Sequence, residues 1–71
     1  MNRFFQIGEI SQFFDVPAST LRYWEDKGVL HPEKGSENRY REYTVEDLMT
    51  ISDVISYKNL GLQLKEIRDM D

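Results

Sequence analysis

The chain has 71 residues and a mass of 8.5 kDa, with 9 basic and 13 acidic residues and a net charge of -4. A chain of this length forms one small domain, which leaves little room for a catalytic cleft beside a separate substrate domain. It contains no cysteine, which excludes disulfides, cysteine-ligated zinc, iron–sulfur clusters and thiol chemistry.

The apolar content of 39% is sufficient for a globular core. No apolar run approaches the roughly 20 residues of a membrane span, and the N-terminus has no stretch of the signal-peptide kind. We therefore expect a cytoplasmic protein with no membrane partner. The acidic pI of about 4.9 argues against nucleic acid as a partner when the charge is averaged over the chain.

Two short helices are predicted in the first part of the chain. Ile7, Ile10 and Phe14 have the spacing of an amphipathic helix over 7–14. Pro17 suits the first turn of a second helix, which runs from about 18 to 27 and ends at Gly28. Two helices joined by a short turn within about 7–27 indicate a helix-turn-helix unit.

The second helix has two unlike faces. Leu21 and Trp24 form its apolar side. The polar residues lie three, four and seven positions apart and so share one outward stripe, which consists of Ser19, Arg22, Tyr23 and Asp26. This pattern is typical of a helix that packs on one side and contacts a partner on the other.

The remaining segments predict a hairpin and two further helices. Turn-forming residues followed by an alternating segment indicate a small β-hairpin over about 31–43, with strand residues at 39–43. Thr44 offers a capping side chain for a third helix that ends at Leu60-Gly61, and a fourth helix begins at Leu62. Together these helices span about 44–70. The predicted core comprises Ile7, Ile10, Phe14, Leu21, Trp24, Leu30, Leu48, Ile51, Ile55, Leu60, Leu64 and Ile67.

The sequence gives little support for catalysis. His31, the single histidine, has no nucleophile near it in sequence, and a surface histidine in a turn is the simpler interpretation. The adjacent acids point in different directions on a helix, and no glycine-rich phosphate loop is present. We expect no enzyme activity, no catalytic residue, no metal site and no cofactor.

The positions of the basic residues are more informative than their number. Arg22 lies on the polar stripe, Arg39 and Arg41 in the hairpin, and Lys58 near the end of the third helix. Tyrosines interleave with them at Tyr23 and Tyr40, and such donors suit phosphate oxygens and guanine edges. The alternative is that Arg22 and Arg41 pair with local acids such as Glu25 and Glu42, and the residues alone leave both interpretations open.

The sequence resembles the N-terminal DNA-binding domain of MerR-family transcription regulators over about 5–67. The resemblance rests on five blocks in the family's order, which are Ile7-Gly8-Glu9, Thr20-Leu21-Arg22-Tyr23-Trp24-Glu25 with Gly28-Val29-Leu30, Asn38-Arg39-Tyr40-Arg41 with Tyr43, Glu46-Asp47-Leu48, and Leu60-Gly61 with Leu64 and Glu66-Ile67. It implies a mostly α-helical winged helix-turn-helix of four helices, in which the second helix enters the major groove of DNA and the hairpin is the wing.

The resemblance also implies a function. Family members are homodimers held by a long helix beyond this segment, with a C-terminal region that senses an effector. They bend and untwist overlong promoter spacers so that RNA polymerase engages both promoter elements, which is recognition through DNA deformation. By this analogy the chain lacks the dimerisation helix and effector domain, and we expect it to be monomeric by itself.

Site residues follow from the same resemblance. Arg22 and Tyr23 match recognition-helix contacts, with Thr20 in the same block, and Ser19 occupies a variable position that tunes sequence preference. Tyr40 and Arg41 match backbone contacts of the wing, and Lys58 matches a basic position that reaches phosphate. Arg39 replaces the glycine usual in the wing, so either the tip of the wing has a different turn or it gains one more phosphate contact, and we favour the second. For Tyr40, packing of the hairpin onto the second helix is an equally open alternative.

Several positions depart from the family pattern. Asp15 stands where the family has glycine, and aspartate tolerates a left-handed backbone. Pro17 and Gln63 replace serine or threonine caps, at an expected cost of a few tenths to about 1 kcal/mol each. If four basic residues each neutralise one DNA phosphate, the logarithm of the DNA-binding constant should fall against the logarithm of the salt concentration with a slope of about -3.6.

Two other functions are compatible with such a fold. One is an excisionase-like architectural DNA-binding protein that has no effector domain. The other is a protein-interaction module that uses the acidic surface as its interface. Charge reversal at Arg22 separates the leading hypothesis from the interaction module, because the reversal should abolish DNA binding and leave a protein partner's affinity little changed.

Overall fold

The computed structural model describes residues 4–34 and 41–70 and is mostly helical in these ranges. Its elements in chain order are α1 (Ile7–Phe14), α2 (Ala18–Asp26), β1 (Glu33–Lys34), β2 (Arg41–Glu42), α3 (Val45–Asn59) and α4 (Leu64–Arg68). The prediction of a mostly α-helical fold with four helices is confirmed. The predicted start of the fourth helix at Leu62 is wrong by two residues, because the Leu62 amide still donates to the Tyr57 carbonyl (3.0 Å) in the turn that ends α3.

The turn between α1 and α2 depends on one left-handed residue. Asp15 has φ 55° and ψ 46°, as expected for the residue that replaces glycine there. Ser11 closes the turn from the α1 side, since its Oγ donates to the Val16 carbonyl at 2.6 Å and its own carbonyl accepts from the Val16 amide at 3.1 Å. These bonds fix the direction in which the chain enters α2.

A short antiparallel pair of strands follows α2. Glu33 lies opposite Glu42, and Lys34 lies opposite Arg41. The chain that joins the two strands, 35–40, lies outside the described residues, and so does the tip of the predicted wing. The strand predicted over 39–43 is described only from Arg41 onward, where β2 ends at Glu42 and Tyr43 pairs with Phe5 instead.

Local hydrogen bonds define both ends of α3. Thr44 and Asp47 form a reciprocal capping box, with the Asp47 amide donating to Thr44 Oγ1 (3.2 Å) and the Thr44 amide donating to Asp47 Oδ2 (2.8 Å). At the other end the chain turns through Gly61, whose φ is 94°. At 15 residues α3 is the longest helix, and no helix in 4–34 or 41–70 is both long and apolar enough to cross a membrane.

The core is formed by side chains from all four helices, from the turn that follows α2 and from Tyr43 after β2. Its buried side chains are Ile10, Leu21, Trp24, Val29, Leu30, Tyr43, Ile51, Val54 and Ile67. Predicted core residues such as Phe14, Leu48 and Leu64 are partly buried against it. The prediction for Leu60 is wrong, since its side chain is 76% exposed at the C-cap of α3, where the chain leaves the helix axis.

Candidate nucleic-acid interface

The second helix, α2, presents a polar face to solvent because its opposite face is fixed in the core. Leu21 is completely buried and Trp24 is nearly so. The predicted outward stripe is confirmed as exposed at Ser19, Arg22, Tyr23 and Asp26, and Thr20 beside it is half-buried. A helix anchored in this way holds its polar side chains at fixed positions on the surface.

The Arg22 guanidinium forms no ion pair with any residue in the described part of the chain. The structure therefore does not show the alternative in which Glu25 pairs with Arg22 and neutralises its charge. Glu25 instead accepts a hydrogen bond from the Tyr43 hydroxyl through Oε2. The positive charge on the polar stripe thus remains available to an anionic partner.

The contact between Tyr43 and Glu25 was not anticipated from the sequence. Tyr43 lies immediately after β2 and is fully buried, and its backbone pairs with Phe5 through two hydrogen bonds of 2.8 Å. Its hydroxyl thereby connects the end of the strand pair to α2. The sequence places Tyr43 at the end of the predicted hairpin, but no local signal identifies Glu25 as its partner.

Two predicted site residues from different helices meet at one cleft. Tyr23 of α2 and Lys58 of α3 both line it, and Tyr23 is 52% exposed. Lys27 lies next to them, with its Nζ 5.4 Å from the centre of the Tyr23 ring, a distance at which a cation and an aromatic face attract each other. The polar stripe of α2 and the C-terminal end of α3 therefore border the same cleft.

The predicted wing residues are only partly described. Arg39 and Tyr40 lie outside the described residues. The backbone of Arg41 forms part of β2 opposite Lys34, while its side chain lies outside the described part of the structure. The roles of these three side chains beside the stripe on α2 therefore stay predictions.

Two of the three acidic residues of α3 lie at its other end. Glu46 and Asp47 lie in its first turn, where negative charge is favourable near the helix N-terminus. Glu46 and Lys58 are twelve positions apart, which corresponds to about 18 Å along a helix axis. The separation exceeds the Debye length of about 8 Å at physiological ionic strength, so these acids hardly reduce the field at Lys58.

The sequence matches a known protein family over nearly its whole length. Residues 5–71 match the model described as the MerR HTH family regulatory protein. The chain belongs to the MerR family. It is 36% identical over 64 residues to the HTH-type transcriptional regulator HmrR of Rhizobium leguminosarum bv. viciae. That match covers 90% of this chain and 49% of HmrR, so the chain spans about half the length of this MerR relative.

Two solved MerR structures have the same fold. One is HiNmlR, a MerR family regulator lacking the sensor domain and bound to promoter DNA, with a TM-score of 0.85 and 27% identity over 93% of this chain and 52% of that one. The other is a MerR family transcriptional regulator from Bacillus cereus, with a TM-score of 0.86 and 33% identity over 94% of this chain and 50% of that one. The chain is therefore a MerR-type N-terminal DNA-binding domain, and its relatives are transcriptional regulators.

Proposed function

We propose that residues 1–71 form a DNA-binding domain that recognises a specific promoter sequence for a MerR transcriptional regulator. The observation that carries this proposal is the exposed stripe of α2, in which Arg22 makes no described ion pair while Leu21 and Trp24 fix the helix from behind. A related regulator, HiNmlR, was crystallised on promoter DNA with this fold.

Each predicted site residue has a role in this proposal. Arg22 and Tyr23 contact bases and phosphates from α2 in the major groove, with Ser19 and Thr20 tuning the preferred sequence. Lys58 contacts a phosphate from the end of α3. Arg39, Tyr40 and Arg41 contact the backbone from the hairpin, so the hairpin acts as a wing.

The regulatory step involves more than one domain. In a longer protein, a dimerisation helix would place two such domains on one promoter, and their combined contacts would bend and untwist the spacer so that RNA polymerase engages both promoter elements. Deformation of this kind is specific because its cost depends on the sequence of the spacer. Energy transfer between dyes at the two ends of a promoter duplex would increase if the bound dimer bends it, and unchanged transfer on saturation would contradict spacer distortion.

Replacement of Arg22 by glutamine tests the binding proposal. The variant loses a charged donor on the recognition stripe, so its affinity for the duplex upstream of its own gene should fall by about 5- to 150-fold, equivalent to about 1–3 kcal/mol. It should also discriminate less between this duplex and a scrambled one. Fluorescence anisotropy with labelled duplexes measures both quantities.

Ser52→Glu is the matched control for this experiment. It changes the net charge by the same amount at an exposed position of α3 that lies outside the cleft shared by Tyr23 and Lys58. Equal losses in the two variants would show that only overall charge matters. Retention of full affinity by Arg22→Gln would refute the recognition role of α2.

A further inference from the structure

The second helix arranges its charges differently from the other described helices. Each of the other three carries an acid in its first turn, where the positive end of the helix dipole attracts it, and α3 and α4 also carry bases in their last turns. The first turn of α2 contains no acid, and its last turn contains no base. Its two acids, Glu25 and Asp26, lie instead at the C-terminal end, where negative charge opposes the dipole.

A tertiary contact accounts for only one of these two acids. Glu25 accepts the hydrogen bond of the buried Tyr43 hydroxyl. Asp26 is exposed and forms no hydrogen bond or ion pair with any described residue. Arg22 lies four positions earlier on the same stripe without pairing with it, and a base before an acid is the less favourable order along a helix. Asp26 therefore destabilises α2 with no compensating contact among the described residues.

The position of Asp26 on the polar stripe suits a contact with a base edge. Along α2 it lies about 6 Å beyond Arg22, which corresponds to roughly two base-pair steps of about 3.4 Å. In the major groove cytosine presents only its 4-amino donor, whereas guanine presents two acceptors, thymine presents one, and adenine presents an acceptor beside its amino group. A carboxylate is purely an acceptor, so cytosine is the base that it matches best.

We propose that Asp26 is a specificity-determining residue that accepts a hydrogen bond from the 4-amino group of one cytosine in the major groove. The inference rests on the proposed function, since it requires α2 to lie in that groove. The selected cytosine lies about two base-pair steps from the base that Arg22 contacts. Asp26 favours this cytosine through the hydrogen bond and disfavours guanine and thymine through repulsion between its carboxylate and their acceptor edges.

The test compares two variants that carry the same replacement. Asp26→Asn removes the charge from the stripe on α2. Asp53→Asn is the matched control, because Asp53 is exposed on α3 and has no hydrogen-bond or ion-pair partner among the described residues. The duplex upstream of the chain's own gene is prepared as a set in which each C·G pair in turn is replaced by T·A. Fluorescence anisotropy measures the affinity of both variants and of the unmodified chain for every duplex.

We expect the unmodified chain and Asp53→Asn to lose about 5- to 150-fold in affinity when the selected cytosine is replaced by thymine. Asp26→Asn should lose less than about twofold at that position, because an amide accepts from cytosine and donates to the thymine carbonyl. Asp26→Asn should also raise the melting temperature by about 1–8 °C, since the neutral side chain no longer opposes the dipole of α2.

Four outcomes would overturn the proposal. Equal tightening of every duplex by Asp26→Asn, a scrambled one included, would show that Asp26 acts only as a repulsive charge. The same base preferences in both variants, with Arg22→Gln still weakened, would refute the role of Asp26 and leave the proposed function intact. A lower melting temperature for Asp26→Asn would assign the carboxylate a structural role instead. Failure of the unmodified chain to bind any duplex would refute both this proposal and the proposed function.

Discussion

Tyr43 connects three parts of the molecule although it belongs to no helix or strand. Its backbone pairs with Phe5 near the N-terminus, its side chain fills the core, and its hydroxyl donates to Glu25 on α2. A position so constrained shows how a single residue can connect α2 to the end of the strand pair.

Replacement of Tyr43 by phenylalanine should therefore destabilise the fold by about 1–3 kcal/mol, because a hydrogen bond to a charged group is lost in a partly buried setting. Tyr57→Phe is the control, since the Tyr57 hydroxyl has no hydrogen-bond partner among the described residues and its loss should change stability by less than about 0.5 kcal/mol. Urea unfolding of both variants measures the difference, and equal stabilities would contradict the role of the hydroxyl.

Two glycines offer a second comparison at the residue scale. Gly28 has φ 81° and faces the stem of Arg68, whereas Gly8 lies in α1 with nothing within 4 Å of an added Cβ. Gly28→Ala should destabilise the fold by about 1–2 kcal/mol through the left-handed backbone. Gly8→Ala should be neutral or should stabilise by up to about 1 kcal/mol, because alanine is the better helix former. Thermal unfolding that ranks the two variants in the opposite order would contradict this assignment.

At the scale of elements, local signals in the sequence predicted the helices well. The bounds of α1 are as predicted, Pro17 and Gly28 delimit α2, and Thr44 caps α3. These features depend on residues a few positions apart, whose preferences the sequence displays directly. The predicted cost of Gln63 as a cap is offset in part, because Glu66 Oε1 accepts the Gln63 amide at 2.8 Å.

Contacts between distant residues could not be predicted in the same way. The pairing of Phe5 with Tyr43 and the exposure of Leu60 depend on how separate elements pack. For the candidate site, the stripe on α2 follows from helical periodicity alone. The convergence of Lys27, Lys65 and Arg68 on Lys58 appears only when α4 is seen docked against α2.

The capping box of α3 gives a prediction at the scale of this element. Thr44→Ala removes the side chain that accepts the Asp47 amide, so it should cost about 1 kcal/mol. Thr50→Ala is the matched control, since its Oγ1 only donates to the Glu46 carbonyl inside the helix (3.1 Å), and alanine should stabilise there by a few tenths of a kcal/mol. Chemical denaturation followed by circular dichroism should show opposite shifts, and a loss of stability in both would contradict the cap.

On the scale of the whole molecule, the distribution of charge is more important than its sum. The net charge of -4 predicts weak attraction to DNA if it is spread evenly. The structure instead gathers four cations at one cleft, with Glu46 and Asp47 at the opposite end of α3. Screening over this distance makes the two ends electrostatically almost independent.

A pair of charge changes at the two ends of α3 tests this independence. Lys58→Gln should weaken binding and reduce the magnitude of the salt slope by about 0.9, since one phosphate contact is lost. Glu46→Gln changes the net charge by the same amount in the other direction, yet it should leave the slope unchanged and the affinity within about twofold, because Glu46 lies about two Debye lengths from Lys58. Anisotropy titrations over a range of salt concentrations measure both. If Glu46→Gln tightens binding as much as Lys58→Gln weakens it, the net charge governs the interaction and the segregated surface does not.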